Sequence, residues 1–370
     1  MKRFIEEELK KIRGENLWRS LPRLPDDCIN FSTNDYLGLS RHPKVKAAAA
    51  SALEKYGAGG RSSRLISGTT DLHLELESKL AKFKNTEACM VFPSGFMANL
   101  GVIASLLGEG DAVIADRLNH ASLIDAAKLS RARLFVYEHR SVPSLEKALE
   151  RTGSYGKRLI VTDSLFSMDG DLAPLSKISA LARERGAWLM IDDAHATGVL
   201  KNMDKGADIV MGTLSKALGS QGGFVCGSKD LIDFLVNRAR PFIYTTALAP
   251  ASCAAAIAAL DIVIEEPGRR KRLQDLSRNL RKELKERFPE ESVLLRGHPT
   301  PILPILTGET EKTLRVSQEL KARGVFVPAI RPPTVPRGAC RLRISLSTEH
   351  GQSDIDALLG SLEGVLGRVS

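Results

Sequence analysis

The chain has 370 residues, of which 43% are hydrophobic and 26% are charged, a balance typical of soluble globular proteins large enough for two domains. The formal net charge of +9 would attract a polyanionic substrate. The densest basic run, Arg269–Arg272, begins a helical pattern without aromatic neighbours, so we expect a solvated helix face and no nucleic-acid partner. Five scattered cysteines, without a CxxC motif or a Cys/His cluster, argue against a disulfide framework and against a metal site.

Two segments bear on location. The N-terminal Met1–Leu9 has no apolar core of signal-peptide length, which favours the cytoplasm. Residues 241–260 carry no charge and are long enough to span a membrane, but they are rich in Ala, Thr and Ser and contain Pro250. We interpret them as a loop around Tyr244–Thr246 that leads into a buried helix, and we expect no membrane partner.

The first 255 residues predict an α/β protein. Residues 1–42 indicate a helix followed by an extended segment, and residues 43–255 a large domain in which apolar runs alternate with helical patterns. Such alternation is typical of a mainly parallel sheet, here of seven strands, with helices on both faces. The predicted strands are 88–92, 112–115, 134–137, 159–162, 188–191, 209–212 and 223–227, and residues 172–185 are one of the predicted helices.

The pattern changes after residue 255. Leucines at 273, 276, 280 and 284 mark a long amphipathic helix. Short strands follow at 302–306, 325–327 and 340–345, with helices at 312–323 and 354–366. Residues 256–370 therefore predict a smaller α+β domain.

Two strand ends carry the most informative side chains. The apolar run 188–191 ends in Asp192-Asp193-Ala194-His195, and the run 208–211 leads to Thr213, Ser215 and Lys216 among small residues. In parallel sheets, ligands bind beyond the carboxyl ends of the strands. A carboxylate that keeps a pyridine nitrogen protonated and an amine that forms a Schiff base are what a pyridoxal 5′-phosphate (PLP) site needs.

Three further turns follow predicted strands. The turn Pro93–Asn99, with Gly95 and Phe96, could bind phosphate through backbone N–H groups at a helix start, although a plain capped turn fits as well. His120, in 116–122, could stack on a planar cofactor and donate a proton, although a single turn histidine is more often structural. Ser167, in 163–171, could donate to a cofactor ring oxygen. The loop Gly57–Gly60 does not follow a strand, so a dinucleotide fingerprint is not expected.

Near the C-terminus, Arg341 and Arg343 alternate with apolar residues and should share one face of a strand. An arginine in such surroundings can bind a carboxylate with two hydrogen bonds. The alternative is an edge strand with solvated arginines.

These segments, in this order, resemble the α-oxoamine synthases, a family of PLP-dependent acyltransferases of fold type I. The resemblance extends from the Asn34–Leu39 segment to His350 and includes the signature Thr-x-x-Lys-x-x-Gly, here Thr213–Gly219. It implies that Lys216 forms the Schiff base, that Asp192 pairs with the pyridinium nitrogen, that His195 binds the ring hydroxyl and that His120 stacks on the ring. The other residues that it implies for the cofactor are Gly95, Phe96, Ser167 and Thr213, with Thr245 or Thr246 reaching the phosphate from a partner subunit in a homodimer with shared sites.

The resemblance also implies a substrate site. Arg343 would bind the carboxylate of an amino acid, and Asn34, Arg331, Thr334 and an N-terminal arginine, for which Arg19 is the candidate, would line the site. The stretches Asp116–Leu123 and Ile330–Pro336 favour the branch of the family that condenses L-alanine with a pimeloyl thioester in the biotin pathway. The acyl group would be carried by CoA or by an acyl carrier protein.

Two alternatives remain open at this point. One is another member of the family, such as an acetyltransferase that uses glycine and acetyl-CoA. The other is a nonenzymatic PLP-fold or nucleotide-binding protein. The loop 199–207 is also shorter than the glycine-rich loop usual in the family, which leaves the contacts of that loop open.

Overall fold

The computed structural model describes residues 1–289, 292–295 and 297–367. The chain divides into two compact units. The large unit comprises Asp35–Ser167 and Leu172–Lys271, and the small unit comprises Met1–Asn34, Met168–Asp171 and Arg272–Ser370. The division into domains at 42/43 and 255/256 stays a prediction.

The strands and helices are numbered in chain order. The strands are β1 (Ile29–Asn30), β2 (Ala88–Phe92), β3 (Ala112–Asp116), β4 (Arg133–Tyr137), β5 (Arg158–Asp163), β6 (Trp188–Asp192), β7 (Ile209–Thr213), β8 (Gly223–Gly227), β9 (Ile302–Gly308), β10 (Val325–Phe326), β11 (Ala329–Ile330) and β12 (Cys340–Ser345). The helices are α1 (Lys2–Gly14), α2 (Pro43–Tyr56), α3 (Asp71–Lys84), α4 (Gly95–Leu106), α5 (Ala121–Ser130), α6 (Val142–Glu150), α7 (Leu175–Glu184), α8 (Lys229–Arg238), α9 (Arg240–Ile243), α10 (Pro250–Glu265), α11 (Pro267–Arg287), α12 (Thr310–Ala322) and α13 (Gln352–Leu366), with a π-helical turn at Arg64–Gly68.

The large unit contains a seven-stranded sheet in the order β2-β8-β7-β6-β5-β3-β4. Strand β8 runs antiparallel to both of its neighbours, and the other pairs are parallel. The predicted mainly parallel sheet is therefore confirmed. Because the carboxyl ends of the parallel strands meet at one edge, Asp163 and Asp192, which are register partners on β5 and β6, lie beside each other there.

Both faces of this sheet are covered. Val113 and Val161 pack in one apolar cluster with residues of α4, α5 and α8, whereas Ile114 and Ile160 pack in a second cluster with residues of α6 and α7. Successive side chains of a strand thus point into different clusters. Because both clusters are apolar, successive positions within a strand are apolar and the strand appears in the sequence as a continuous apolar run. Burial on both faces leaves the strand ends as the place where polar side chains can gather.

One predicted helix begins later than expected. The pattern predicts a helix over 172–185, but α7 begins at Leu175. Leu172 instead forms an isolated β-bridge with Leu165, and Pro174 precedes the helix, so the first three residues continue an extended turn. The apolar spacing places the start of the helix three residues too early, because it carries no information about the β-bridge between Leu165 and Leu172.

The small unit is α+β, as the pattern predicts. Strands β11, β12 and β9 form an antiparallel sheet, and β1 pairs in parallel with β10. Strand β12 is buried along its whole length. The side chain of Arg343 is therefore held in the interior of this unit rather than on a solvated edge.

The basic run Arg269–Arg272 is less solvated than its pattern suggests. Arg269 donates to the Leu37 carbonyl and Arg270 to the Val263 carbonyl. Within the small unit, Arg272 donates to the carbonyls of Thr348 and His350. These three guanidinium groups donate hydrogen bonds to main-chain carbonyls, which the local charge pattern does not predict. Separately, no helix of the described residues has the length and apolar character required to cross a membrane.

His73 makes the stability of the large unit depend on pH. This fully buried ring receives the Thr70 N–H at Nδ1 and has Nε2 2.8 Å from the Leu248 carbonyl. Burial, assisted by the charge of Arg64, lowers the pKa of His73 from 6.5 to about 4. Between pH 6.5 and about pH 4, His73 is therefore protonated in the unfolded chain but stays neutral in the folded chain. We expect the free energy of unfolding to fall by about 2 kcal/mol between pH 7 and pH 5 through this residue.

Urea denaturation at the two pH values measures this difference. His73→Gln removes the titrating group, so its unfolding free energy should change less between pH 7 and pH 5 than that of the wild type. An equal change in both proteins would show that His73 does not carry the effect.

Candidate functional site

A cavity of about 170 Å³ lies at the carboxyl ends of the large-unit strands. It brings together seven of the residues singled out in the sequence, namely Gly95, Phe96, His120, Asp192, His195, Thr213 and Lys216. Its other lining residues are Asn99, Ser122, Asp163, Ala194, Met211 and Ser215. Two carboxyl groups, two imidazoles, one amine and several hydroxyl groups therefore share one small enclosure.

Asp192 is the last residue of β6, and only 6% of its surface is exposed. Its Oδ1 accepts the Ala194 N–H at 3.0 Å, and its Oδ2 accepts the Asn99 side-chain amide at 2.9 Å. Both donors are neutral, and no cation pairs with this carboxylate among residues 1–289, 292–295 and 297–367. Because a buried carboxylate normally has a cationic partner, the cavity is suited to a ligand that brings one.

Lys216 follows β7 in a tight turn. The turn is closed by hydrogen bonds from the Gly219 N–H to the Lys216 carbonyl and from the Leu214 N–H to the Gly222 carbonyl, both 2.9 Å long. Ala217 and Leu218 are buried, whereas Lys216 is half-buried. This turn places Lys216 in the lining of the cavity that Asp192 also lines.

Helix α4 begins at this cavity. Ser94 caps it by accepting the Met97 N–H, and Gly95 and Phe96, in the first turn, line the cavity. First-turn N–H groups have no acceptor within their own helix and attract anions. A Cβ on Gly95 would lie 2.6 Å from Thr213 Cγ2, and a Cβ on Gly223 would lie 2.6 Å from the Gly95 nitrogen. Close packing of backbone on backbone therefore shapes this anion-attracting end.

Two histidines lie at the cavity in different settings. His195 is buried, and its Nδ1 is 2.7 Å from the Tyr36 hydroxyl. His120 is the N-cap of α5, and its Nδ1 accepts the Ser122 N–H. The Tyr36 contact fixes the ring plane of His195, and the cap fixes that of His120.

Asp163 is a cavity residue that the sequence reasoning did not select. It ends β5 beside Asp192, is 3% exposed and accepts the His120 N–H at 3.4 Å. Burial and the neighbouring charge of Asp192 raise the pKa of Asp163 well above its usual value. The signal was available, because Asp163 directly follows a predicted strand, as Asp192 does. Asn99 and Ser122 lie inside helical segments and gave no comparable signal.

Three residues expected near a cofactor do not line this cavity among the described residues. They are Ser167, which is half-buried, Thr245, which is half-buried, and Thr246, which is exposed. The two threonines follow Tyr244 in the predicted loop. Their assigned roles stay predictions.

The residues expected at the substrate site all belong to the small unit. Arg343 is 5% exposed and donates to Ser345 Oγ at 2.9 Å and to Asn34 Oδ1 at 3.3 Å. Its strand neighbour Arg341 donates instead to the Asp169 carboxylate at 2.7 Å. Both arginines are thus held in place by side-chain oxygens of the small unit.

The remaining three of these residues surround the 331–334 turn. Arg331 donates to the Trp18 carbonyl, and Arg19 donates to the Pro332 carbonyl at 3.4 Å. Burial, with the charge of Arg19, lowers the pKa of Arg331. Thr334 is exposed, and its N–H donates to the Arg331 carbonyl. The two arginines therefore form one cationic patch within the small unit.

A buried ion pair supports the backbone beside Asp192. Lys84 Nζ lies 2.6 Å from Asp193 Oδ2 and 3.2 Å from Asp204 Oδ2, and Asp193 also accepts hydrogen bonds from Ser164 and Thr197. Burial opposes the charge of Lys84, but the two carboxylates outweigh it and raise the pKa of this lysine. Lys84→Met should lower the free energy of unfolding by about 3–5 kcal/mol, because it leaves Asp193 buried and without its cation.

Lys79→Met is the matched control. Lys79 is on the same helix and lies 2.7 Å from Asp261, but 32% of its side chain and 44% of that of Asp261 are exposed. Removal of an exposed pair of this kind should change the unfolding free energy by less than about 1 kcal/mol. Similar losses in the two variants, measured by urea denaturation, would contradict the role assigned to burial.

Comparisons with known proteins identify the family of the chain. A model of the family described as aminotransferase class I and II matches residues 26–362. The chain is 44% identical over 385 residues to the 8-amino-7-oxononanoate synthase of Geobacter sulfurreducens, covering 98% of this chain and 97% of that protein. It is also 44% identical over 382 residues to the enzyme of the same name from Geotalea daltonii, covering 97% and 96%.

Solved structures show the same fold. The 8-amino-7-oxononanoate synthase of Francisella tularensis superposes with a TM-score of 0.78 and 31% identity, covering 92% of this chain and 98% of that one. A variant of serine palmitoyltransferase from S. paucimobilis, solved with a bound PLP–myriocin aldimine, has a TM-score of 0.90 and 30% identity, covering 98% and 96%. The resemblance and the fold class expected from the sequence are confirmed, and the chain belongs to the aminotransferase class I and II family.

Proposed function

We propose that this chain catalyses the decarboxylative condensation of L-alanine with a pimeloyl thioester, the reaction that forms 8-amino-7-oxononanoate in biotin biosynthesis. The observation that supports it most directly is the buried Asp192 carboxylate, whose donors among the described residues are neutral, in the same cavity as Lys216. The names of the relatives that cover nearly the whole chain support the choice of substrates.

The cavity fits PLP, the cofactor of this enzyme class. Asp192 offers the negative charge that a pyridinium needs, and Lys216 offers an amine for the aldehyde. The first turn of α4 and Thr213 would offer N–H and O–H donors to a phosphate, and the imidazole of His195 would bind the ring hydroxyl. When bound, PLP supplies an electron sink for the carbanion that forms at the amino-acid Cα.

The residues of the chain bind the substrates, move the protons and stabilise the developing charge. Arg343 binds the carboxylate of L-alanine, and Lys216 Nζ removes the Cα proton and later returns one to the same carbon. His120 donates a hydrogen bond to the thioester carbonyl as the new carbon–carbon bond forms and the carbon–sulfur bond breaks. The former alanine carboxylate leaves as carbon dioxide. Asn34, Arg331, Thr334 and Arg19 line the path of the acyl donor in this proposal.

The working enzyme is proposed to be a cytoplasmic homodimer in which each subunit completes the other's phosphate site through Thr245 or Thr246. The support comes from exposed apolar side chains on adjoining segments. Ile66 is 80% exposed and Tyr244 is 71% exposed, and the Ala247 N–H donates to the Ser62 carbonyl beside them. A monomer mass in analytical ultracentrifugation of the PLP-loaded protein would contradict the shared site.

Release of the CoA thiol tests the substrate assignment. The PLP-loaded protein is mixed in parallel with pimeloyl-CoA and L-alanine, and with acetyl-CoA and glycine. Thiol release only in the first mixture is expected. Release only in the second would overturn the choice of substrates while keeping the cofactor assignment. If neither mixture reacts, pimeloyl-acyl carrier protein with L-alanine provides the third arm, and its failure would reject the proposal.

A further inference from the structure

Four side chains form a continuous line of hydrogen bonds through the cavity wall. The Asn99 amide nitrogen lies 2.9 Å from Asp192 Oδ2 and 2.8 Å from Ser122 Oγ. Ser122 Oγ in turn lies 2.7 Å from His120 Nδ1. Asn99 and Ser122 are fully buried, so water does not compete for these contacts. The line connects the carboxylate at the end of β6 to the imidazole at the start of α5.

The direction of each hydrogen bond follows from the chemistry of the groups. An amide nitrogen only donates, so Asn99 uses its two N–H bonds on Asp192 and Ser122. Ser122 accepts from Asn99, which leaves its own hydroxyl proton for His120 Nδ1. The backbone N–H of Ser122 also donates to Nδ1, at 3.3 Å. Two donors converge on this nitrogen, so it cannot carry a proton itself.

We infer that Asn99 and Ser122 are positioning residues that hold His120 in the Nε2–H tautomer and so make it a hydrogen-bond donor into the cavity. Nε2 has no hydrogen-bond partner within the described parts of the chain, and it is the ring nitrogen left to meet a ligand. That this donor serves the thioester carbonyl rests on the proposed function. The tautomer itself does not.

Several charged groups lie around His120. The negative groups are the carboxylates of Asp192, Asp125 and Asp163, and the positive group is the amine of Lys216. Burial lowers the pKa of His120; Asp192 and Asp125 oppose this effect, and Lys216 reinforces it. A hydroxyl that donates to Nδ1 stabilises the neutral ring, so Ser122 and burial act in the same direction.

The experiment reads the tautomer directly. Holoenzyme is labelled with ¹⁵N-histidine, the His120 signals are assigned among the seven histidines by comparison with His120→Gln, and two-bond ¹H–¹⁵N correlations report which ring nitrogen is protonated. Wild type should show Nε2–H. In Ser122→Ala the ratio of the Nε2–H to the Nδ1–H tautomer should fall by about three- to tenfold, and the titration of His120 should move to higher pH.

Ser130→Ala is the matched control, because Ser130 is a buried serine of the same helix whose hydroxyl donates to the Ala127 carbonyl. It should leave the His120 tautomer and titration unchanged. An Nδ1–H signal in wild type, or an unchanged tautomer in Ser122→Ala, would overturn the inference. Thiol release is measured on the same samples, so an Nε2–H tautomer without turnover would count against the proposed function and leave this inference standing.

Discussion

Lys216→Ala is expected to lower turnover by at least about 10³-fold and to abolish the visible absorbance of lysine-bound PLP. The variant removes both the amine that binds the aldehyde and the base that we assign to the Cα proton. Lys216→Arg should be equally inactive, because a guanidinium keeps its charge but does not give up a proton at working pH. Borohydride reduction followed by peptide mass spectrometry locates the attached cofactor in the wild type.

Lys229→Ala is the control for this experiment. Lys229 pairs with Asp233 on the surface, and 68% of its side chain is exposed, so its removal should leave both turnover and absorbance unchanged. If Lys216→Ala retained the absorbance, or if the reduced label were found on another lysine, the assignment of Lys216 would be wrong.

Asp192→Asn should give the second-largest loss. The substitution keeps the size of the side chain but removes its negative charge. A pyridinium bound in the cavity would therefore lose its anionic partner. Loss of one charge-assisted hydrogen bond should weaken PLP binding by about 10- to 150-fold, and loss of preorganised charge should lower turnover by about 10²- to 10³-fold. Fluorescence titration with PLP and thiol release at saturating PLP separate the two effects.

Asp208→Asn provides the comparison for the charge at Asp192. The Asp208 carboxylate accepts the Leu189 N–H at 2.8 Å near the opposite end of β6, away from the cavity lining. Asparagine can accept the same bond, so this variant should bind PLP and turn over like the wild type. Normal turnover by Asp192→Asn would reject the pairing with the cofactor ring.

Much of the cavity could be predicted because its residues follow apolar runs. Asp192 is the last residue of β6, and Lys216 lies in the turn that follows β7. Strands buried on both faces, like these two, are visible as apolar stretches in the sequence. Once the sheet is known to be mainly parallel, these ends must meet at one edge. Chain order and a terminal polar residue were enough to bring the carboxylate and the amine together.

The support around these residues could not be predicted in the same way. Lys84 bonds to Asp193, which lies 109 positions away in the sequence. Because Lys84 is at the end of an amphipathic helix, the sequence alone suggests an ordinary solvated lysine. Asn99 and Ser122 are polar residues inside helices, where local propensity says nothing about burial. Their partners are fixed only when α4 and α5 pack against the sheet.

The approach of Gly223 to Gly95 has a consequence for how this protein can vary. The two glycines belong to different elements, β8 and α4; a methyl group on Gly223 would lie 2.6 Å from the Gly95 backbone, and one on Gly95 would lie 2.6 Å from Thr213 Cγ2. A larger residue at position 223 cannot be offset by a smaller one at position 95, because glycine already has the smallest side chain. A library that randomises β8 and the start of α4 together should therefore return glycine at both positions, because Thr213 lies on β7 and stays unchanged.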